Sequence, residues 1–311
     1  MGNTLSNLVQ TKITPGLYKQ YIAGATTSWM EANARGVVYK GGKYVMMHEM
    51  EVQGLGDYDR NLGFPRGNIT GSKKQYEMKK DRGREFLIDA VDSDETGFLV
   101  TAASVMAEFQ RKHVIPEIDC YRYSQIYQIM KAGKYNSTNV KDTAISKAKI
   151  VMTLLEDIAQ VQDEMGMDVP LMITMSRKTQ MLLGQEFIHN LDYATFRAGA
   201  LNTKVRSLDG NPINLVPSVR LYTQYDYHDG VTPNHEEGGF EKSSGAKEMK
   251  WIIMPVTAPI ALAKVDNMRA FSPEEYQGAH AWKVDYRIFH DLWMLPDGQR
   301  CTVIRTGNIT E

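Results

Sequence analysis

The 311-residue sequence predicts an α+β protein. Three observations predict that class. Apolar residues recur at period two over 43–52 and again over 76–88, on either side of a glycine-rich middle. Apolar residues at spacings of three and four mark helices through the centre of the chain. From Lys250 onward, short apolar runs bounded by turn residues read as strands.

The stretch Lys43–Ala90 organises the rest. Tyr44, Met46, Met50 and Val52 fall on one face of a strand, interrupted by His48. Tyr76, Met78, Phe86 and Ile88 do the same on the return arm, and Gly54, Gly56, Gly63, Pro65, Gly67 and Gly71 punctuate the turn between them. The pattern predicts a long two-stranded excursion. A two-stranded ribbon is marginal alone in water, so its apolar face needs a cover, from its own chain or from another copy.

Before the ribbon, residues 1–36 read as an arm with little core of its own and a short helix over 19–34. After it, Asp92, Asp94 and Glu95 suit the positive end of a helix dipole. The twelve-residue ligand spacing of a calcium loop is absent. A helix is expected from about Glu95 or Phe98 to Val114, disturbed at Pro116 and resumed to Gly133, as one long helix with a break or two end to end. Residues 142–165 carry the most regular helical stripe, with Ile145, Ala148, Val151, Leu155, Ile158, Val161 and Met165 on one face and Gly166 as the stop. A strand over 170–175 and a helix capped by Ser176 follow. Residues 190–213 read as irregular, and 212–225 as strand-like. Residues 226–247 read as a long polar loop containing His228 and His235, and loops of that length usually carry function or mobility. Strands are expected at 250–254, 256–263, 280–295 and 301–305.

Composition bounds the function. The formal net charge is -1, so there is no global basic field of a dedicated nucleic-acid binder. Cys120 and Cys301 are the only cysteines and imply no disulfide scaffold. The N-terminus lacks the pattern of a secretory signal, and its match to the myristoylation pattern through Gly2 and Ser6 is read as chance. No apolar run is long enough to span a membrane.

The search for chemistry finds no phosphate-binding loop, no dinucleotide fingerprint and no nucleophile elbow. No catalytic constellation, cofactor site or metal site is expected. His228, His235 and Asp226 are the nearest approach to a metal set, without a cysteine nearby. Cys120 reads as a packed thiol. Lys73, Lys74, Lys79, Lys80, Arg82 and Arg84 form a basic cluster interleaved with Glu77, Asp81 and Glu85. Mixed charge of this kind blunts a strand edge or complements acids on a neighbour.

Several runs then carry a family resemblance. They are Gly54-Leu-Gly-Asp-Tyr-Asp-Arg-Asn-Leu-Gly-Phe-Pro, Tyr76-Glu-Met-Lys-Lys-Asp-Arg-Gly-Arg-Glu-Phe-Leu-Ile-Asp, Asp94-Glu-Thr, and Glu108-Phe-Gln-Arg followed by Val114-Ile-Pro-Glu-Ile-Asp-Cys-Tyr-Arg. Together they resemble the major capsid proteins of tailed double-stranded DNA bacteriophages, over residues 43–130. The resemblance implies an N-terminal arm (1–36) and an extended loop (37–90). It also implies a peripheral domain with a long spine helix (91–134 and 251–311) and an axial domain (135–250). In that family the extended loop lies over the neighbouring subunit, and hexamers and pentamers tile an icosahedral shell. The expected partners are therefore further copies of the chain, packaged double-stranded DNA bound without sequence preference, a portal, and a separate scaffolding or decoration protein. The expected location is the virion capsid, assembled in the host cytoplasm, with no membrane partner. An encapsulin-type nanocompartment shell, which shares the fold, is the alternative, and an enzyme is not expected. Relatives that begin with a cleaved helical scaffolding segment imply either that such a segment was removed here or that a separate scaffold exists. Candidate inter-subunit contacts are Asp57, Arg60, Arg82 and Arg84 on the loop, and Glu108, Arg111, Glu117 and Asp119 on the spine. Arg82→Glu is expected to impair assembly without unfolding the subunit.

Overall fold

The computed structural model describes residues 24–39, 42–60, 63–89, 106–166, 169–186, 192–198, 201–208 and 210–310. Residues 1–23 of the expected arm (1–36), and residues 91–105 with the acidic cluster and the expected start of the spine, lie outside the described residues. A 3-10 segment, Ser28–Gly36, leads into β1 (Val38–Tyr39), β2 (Tyr44–Val52), β3 (Ile69–Glu77) and β4 (Lys80–Asp89). Strands β1, β2 and β3 form one antiparallel sheet, with Tyr44 opposite Glu77 and Val52 opposite Ile69.

The ribbon differs from the sequence reading at its return arm. Only β3 pairs with β2. After Met78 the chain leaves the ribbon, and β4 joins a second sheet of order β14-β15-β4. There β14 spans Pro259–Phe271 and β15 spans Ala281–Met294. Phe86 and Ile88 therefore belong to that second sheet. Both arms share period two, which fixes faces within a strand but not which strand is the partner.

The spine is helical from residue 106. A π-turn over Gln110–Val114 precedes α1 (Ile115–Ala132). The break expected at Pro116 takes this form. Proline has no N–H and its ring crowds the carbonyl four residues back. One wide turn, closed by the Ile115 N–H on the Gln110 carbonyl, absorbs that conflict and the helix continues. A short turn α2 (Asn136–Asn139), β5 (Val140–Lys141) and β6 (Ile145–Ser146) follow.

The next helix, α3 (Ile150–Met165), starts later than its stripe predicts. Ile145 instead enters β6, which pairs in parallel with β17 (Ile309–Thr310). Val151, Leu154, Ile158 and Val161 form its buried face, and Gly166, at φ +91, ends it. β7 (Leu171–Ser176) leads into α4 (Arg177–Glu186), where the Ser176 hydroxyl accepts the Thr179 N–H at 3.1 Å as the expected cap. Residues read as irregular form β8 (Asp192–Ala198), β9 (Leu201–Leu208) and the start of β10 (Asn211–Val216). The polar loop contains a hairpin of β11 (Tyr225–Tyr227) and β12 (Phe240–Lys242). Near the end, β13 (Trp251–Pro255) precedes β14, and a turn α5 (Pro296–Arg300) precedes β16 (Val303–Arg305).

The largest sheet has the order β5-β16-β13-β7-β10-β9-β8. Its centre is covered on both faces, which is why β7 and β13 are mostly apolar and lack strict alternation. α3 packs Ile150, Leu154 and Ile158 on one face, with Ile173, Ile253 and Val303. The spine packs Tyr123, Ile126 and Met130 on the other, with Met172, Ile252, Ile304 and the arm residues Trp29 and Met30. The buried Asp157 carboxylate locks this sheet to α3. It accepts bonds from Lys141 Nζ (2.7 Å), Trp251 Nε1 (2.9 Å), and Arg305 Nε (2.9 Å) and Nη2 (2.7 Å).

Candidate assembly surface

β15 alternates its side chains between two environments. Val284, Tyr286 and Ile288 face the start of the spine, with Met268, Ala270, Val114 and Ile118. Phe289 and Trp293 face the other way, with Ile260, and take the root of the ribbon through Val45, Met47 and Met78. The ribbon root is thus covered by its own chain, on the odd-numbered face of β2.

The even-numbered face, which the sequence marks as apolar, has no such cover. Met50 and Val52 are 75% and 62% exposed, and Ile69, opposite Val52, is 68% exposed. Beyond them Leu55 is fully exposed, and Tyr58 and Phe64 stand in solvent with ring centroids 4.9 Å apart. Asp59 and Gly63 bridge that turn, with the Gly63 N–H on the Asp59 carbonyl at 2.8 Å. Large apolar side chains left in water along one ribbon make it a candidate surface for meeting another molecule.

The charges interleaved along the ribbon and β4 form pairs across neighbouring strands. Lys74 meets Glu49 at 2.6 Å and Lys283 meets Glu85 at 2.7 Å, while Arg287 pairs with Asp81 and Lys43 with Glu77. Most of these side chains are largely in water, where solvent screening keeps the contribution of each pair small.

On the spine-facing side of β4, every second residue points at α1 and the 226–247 loop. Lys80, Arg82, Arg84 and Phe86 lie opposite His290, Ile288, Tyr286 and Val284 of β15. Arg82 donates from Nε to Glu117 at 2.7 Å, from Nη1 to the His228 carbonyl at 2.6 Å, and from Nη2 to the Gly239 carbonyl at 3.1 Å. Arg84 Nη1 donates to the Glu236 carbonyl at 3.2 Å. Its guanidinium nestles against Gly230 and Gly238, whose φ values of +78 and +67 and lack of a side chain allow the approach. The two arginines hold the loop down on the sheet.

Beneath that loop lies a chamber of about 220 Å³. Phe86, Phe109, Val114, Ile118, Tyr286 and Ile288 line it, together with Arg82, Arg84, His113 and Glu117. His290 also lines it, and its Nδ1 has no hydrogen-bond partner among the described residues. Burial, with the nearby Arg122 and Lys80 cations, holds the His290 imidazole well below its ordinary range, so it is neutral at pH 7. Lys80 Nζ sits 3.1 Å from the centroid of the Tyr227 ring. Its pKa is pulled down to about 8, first by burial and then by Arg82. The Cys120 thiol is buried and pushed up to about 12, which makes it an inert packing group.

The sequence-derived contact residues fall into three groups. Arg82 and Glu117 meet each other within one chain, and Glu108 pairs with Arg111 and Lys112 of its own helix at 2.7 and 2.8 Å. Asp119 is a correction: it is fully buried and has no face to offer a neighbour. Its carboxylate accepts the Thr26 and Thr27 amides (3.0 and 3.2 Å) and hydroxyls (2.8 and 2.6 Å), and pairs with Arg220 at 2.8 Å. A single acid at a helical position gives no sequence signal of such burial. Asp57, Arg60, Arg84 and Arg111 are exposed. The sequence reading missed the exposed Tyr58 and Phe64, although both lie in the run it singled out. His228 and His235 stack edge to face at 4.0 Å, and no group of three metal-ligating side chains occurs among the described residues.

No protein-family model and no curated protein matches the sequence. Solved structures do match. A chain in the asymmetric unit of the bacteriophage PhiM1 mature capsid aligns at a TM-score of 0.56 and 12% identity, over 88% of this chain and 85% of that one. A chain of the cyanophage P-SCSP1u capsid aligns at 0.53 and 10% identity, over 88% and 86%. A virus-like particle from Pyrococcus furiosus aligns at 0.52 and 8% identity, over 97% and 99%. The chain described here has the fold shared by these phage-capsid and virus-like-particle chains.

Proposed function

We propose that this chain is the major capsid protein of a tailed bacteriophage. Copies of it form hexamers and pentamers that tile an icosahedral shell around double-stranded DNA. The observation that carries the reading is the uncovered apolar face and tip of the ribbon, on a fold shared with capsid chains. A free-standing monomer leaves that face in water, whereas a shell gives each ribbon a neighbour to lie on. In this reading the parts are the arm (1–36), the extended loop (37–90), the peripheral domain (91–134 and 251–311) and the axial domain (135–250). Strands β13 and β16 would tie the last two together. Exposed Asp57, Arg60, Arg84 and Arg111 remain the charged contact candidates. The role is structural rather than catalytic, and its place is the virion. DNA, portal and scaffolding partners follow from this role.

The test is electron microscopy of the protein expressed alone and with candidate scaffolding proteins. Closed particles or tubes built of rings are expected. A folded, monodisperse monomer under every assembly condition would overturn the reading. Phage capsid chains among the similar structures favour a phage shell over a nanocompartment. Particles that load a protein cargo and take up no DNA in a packaging reaction would reverse that preference.

A further inference from the structure

We infer that the chamber beneath the 226–247 loop is a binding site for one small neutral ring compound of the phenol class. The site lies within a single copy, so the inference goes beyond the shell reading and does not depend on it. Size comes first. An apolar cavity of about 150 Å³ takes up a benzene ring, and the chamber measures about 220 Å³. One ring with a short substituent fits, and a second ring does not. The walls suit a ring. Phe109 already stands edge-on to Phe86 at 5.0 Å and to Tyr286 at 6.0 Å, so the lining is aromatic on several sides.

The chamber has a wet mouth and a dry floor. His113, Asp229 and Glu237 of its lining are exposed, whereas Ile118, Tyr286, Ile288 and His290 are buried. A ligand can therefore enter from solvent and lose its own hydration at the inner end.

Most polar groups around the chamber are already spent. Arg82 is bound to Glu117 and to two loop carbonyls. Asp229 accepts the Val231 and Thr232 amides at 3.0 and 2.9 Å. His290 is the exception. It is 2% exposed, and its Nδ1 has no partner among the described residues. Buried polar atoms are normally paired. A neutral imidazole carries one donor and one acceptor, and a phenol hydroxyl both donates and accepts, so it serves either tautomer. The charges of the lining favour a neutral ligand. Arg82 and Arg84 stand against Glu117, Asp229 and Glu237, which leaves no surplus arginine for a carboxylate or phosphate.

Phenol, toluene and benzoate, titrated into the folded full chain and followed by calorimetry, test the assignment. An apolar hole alone ranks toluene first, because a hydroxyl buried without a partner loses its water for nothing. Phenol is instead expected to bind one equivalent per chain, at least as tightly as toluene. Benzoate should bind at least about tenfold more weakly than phenol, since its charge would be buried unpaired. His290→Phe should lower phenol affinity by about tenfold and leave that of toluene unchanged. If that variant does not fold, a second one locates the site. His113→Cys puts a reactive thiol at the exposed mouth, and the native Cys120 and Cys301 are buried. Reaction with N-phenylmaleimide tethers a ring there and should abolish phenol binding, whereas the unreacted variant binds as the native chain does. Toluene ahead of phenol, benzoate ahead of phenol, no saturable binding of phenol, or binding that survives the blocked mouth each overturns the assignment. None of these results bears on whether the chain builds a shell.

Discussion

Arg82 on β4 and Glu117 on the spine helix meet at 2.7 Å, and the same guanidinium reaches two carbonyls of the 226–247 loop. One side chain therefore joins sheet, helix and loop. Its charge is only partly in water, with 22% of the side chain exposed against 15% for Glu117. Removing one partner of such a pair leaves the other charge and two carbonyls short of bonds. Arg82→Ala should lower the unfolding free energy by about 3 kcal/mol. Arg82→Glu should lower it further, because it sets two carboxylates face to face. The bonds that Arg82 makes within the subunit argue against the expectation that Arg82→Glu spares its folding. Denaturant unfolding of the unassembled subunit and protease cleavage within 226–247 check this, and an unchanged midpoint with an uncut loop would contradict the clamp.

Asp119 ties the arm to the spine. Asp119→Ala removes the acceptor for two amides and two hydroxyls and strands the Arg220 cation. The cost should be about 3 kcal/mol or more. Hydrogen exchange should show the Thr26 and Thr27 amides losing protection before the spine does. Uniform loss across the chain would mean that the arm is not a separate unit.

His290 gives the subunit a built-in acid sensitivity. Its folded-state pKa lies below the ordinary 6.5, so below that pH the unfolded chain binds a proton that the folded chain refuses. Stability is full above 6.5 and falls as the pH drops below it, by up to about 1.4 kcal/mol per pH unit. The facing charges are Lys80 on β4 and Arg122 on the spine, both cations that reinforce the effect. His290→Gln should flatten that limb between pH 6.5 and the onset of carboxylate protonation. Unfolding midpoints at several pH values read the difference, and parallel curves for both proteins would refute the assignment.

The apolar ribbon face should matter only between copies. Met50→Ser with Val52→Ser alters side chains that are mostly in water already. The unassembled subunit should change by less than about 0.5 kcal/mol, while particle yield falls. If instead the subunit itself loses several times that amount, the face is covered within the chain and the interface argument fails.

Local pattern made much of this fold readable. The apolar runs of β7 and β13 announced strands, and the structure buries both on two faces. The Ser176 cap and the Gly166 stop marked real helix ends, because each acts through its own backbone neighbours. Pro116 announced a disturbance, but whether a helix breaks or widens depends on what packs around it. The spine is held between a sheet, the arm and the loop, and it widened. Strands β8 and β9 left little trace, since their residues mix polar and apolar types on both faces. The start of α3 was misplaced because Ile145 and Ala148 continue the helical stripe. A parallel pairing of Ile145 with Ile309, far along the chain, outcompetes it.

The amino-acid sequence alone determined the element types, the two faces of the ribbon and the need for one of them to be covered, because period and polarity act over a few residues. Tertiary structure alone decided that β4 abandons the ribbon, that Arg82 and Asp119 are consumed inside the subunit, and that a chamber opens on the far side of the sheet from the ribbon root. Those outcomes depend on partners distant in the chain, whose pairing is chosen by packing and charge compensation rather than by any local signal.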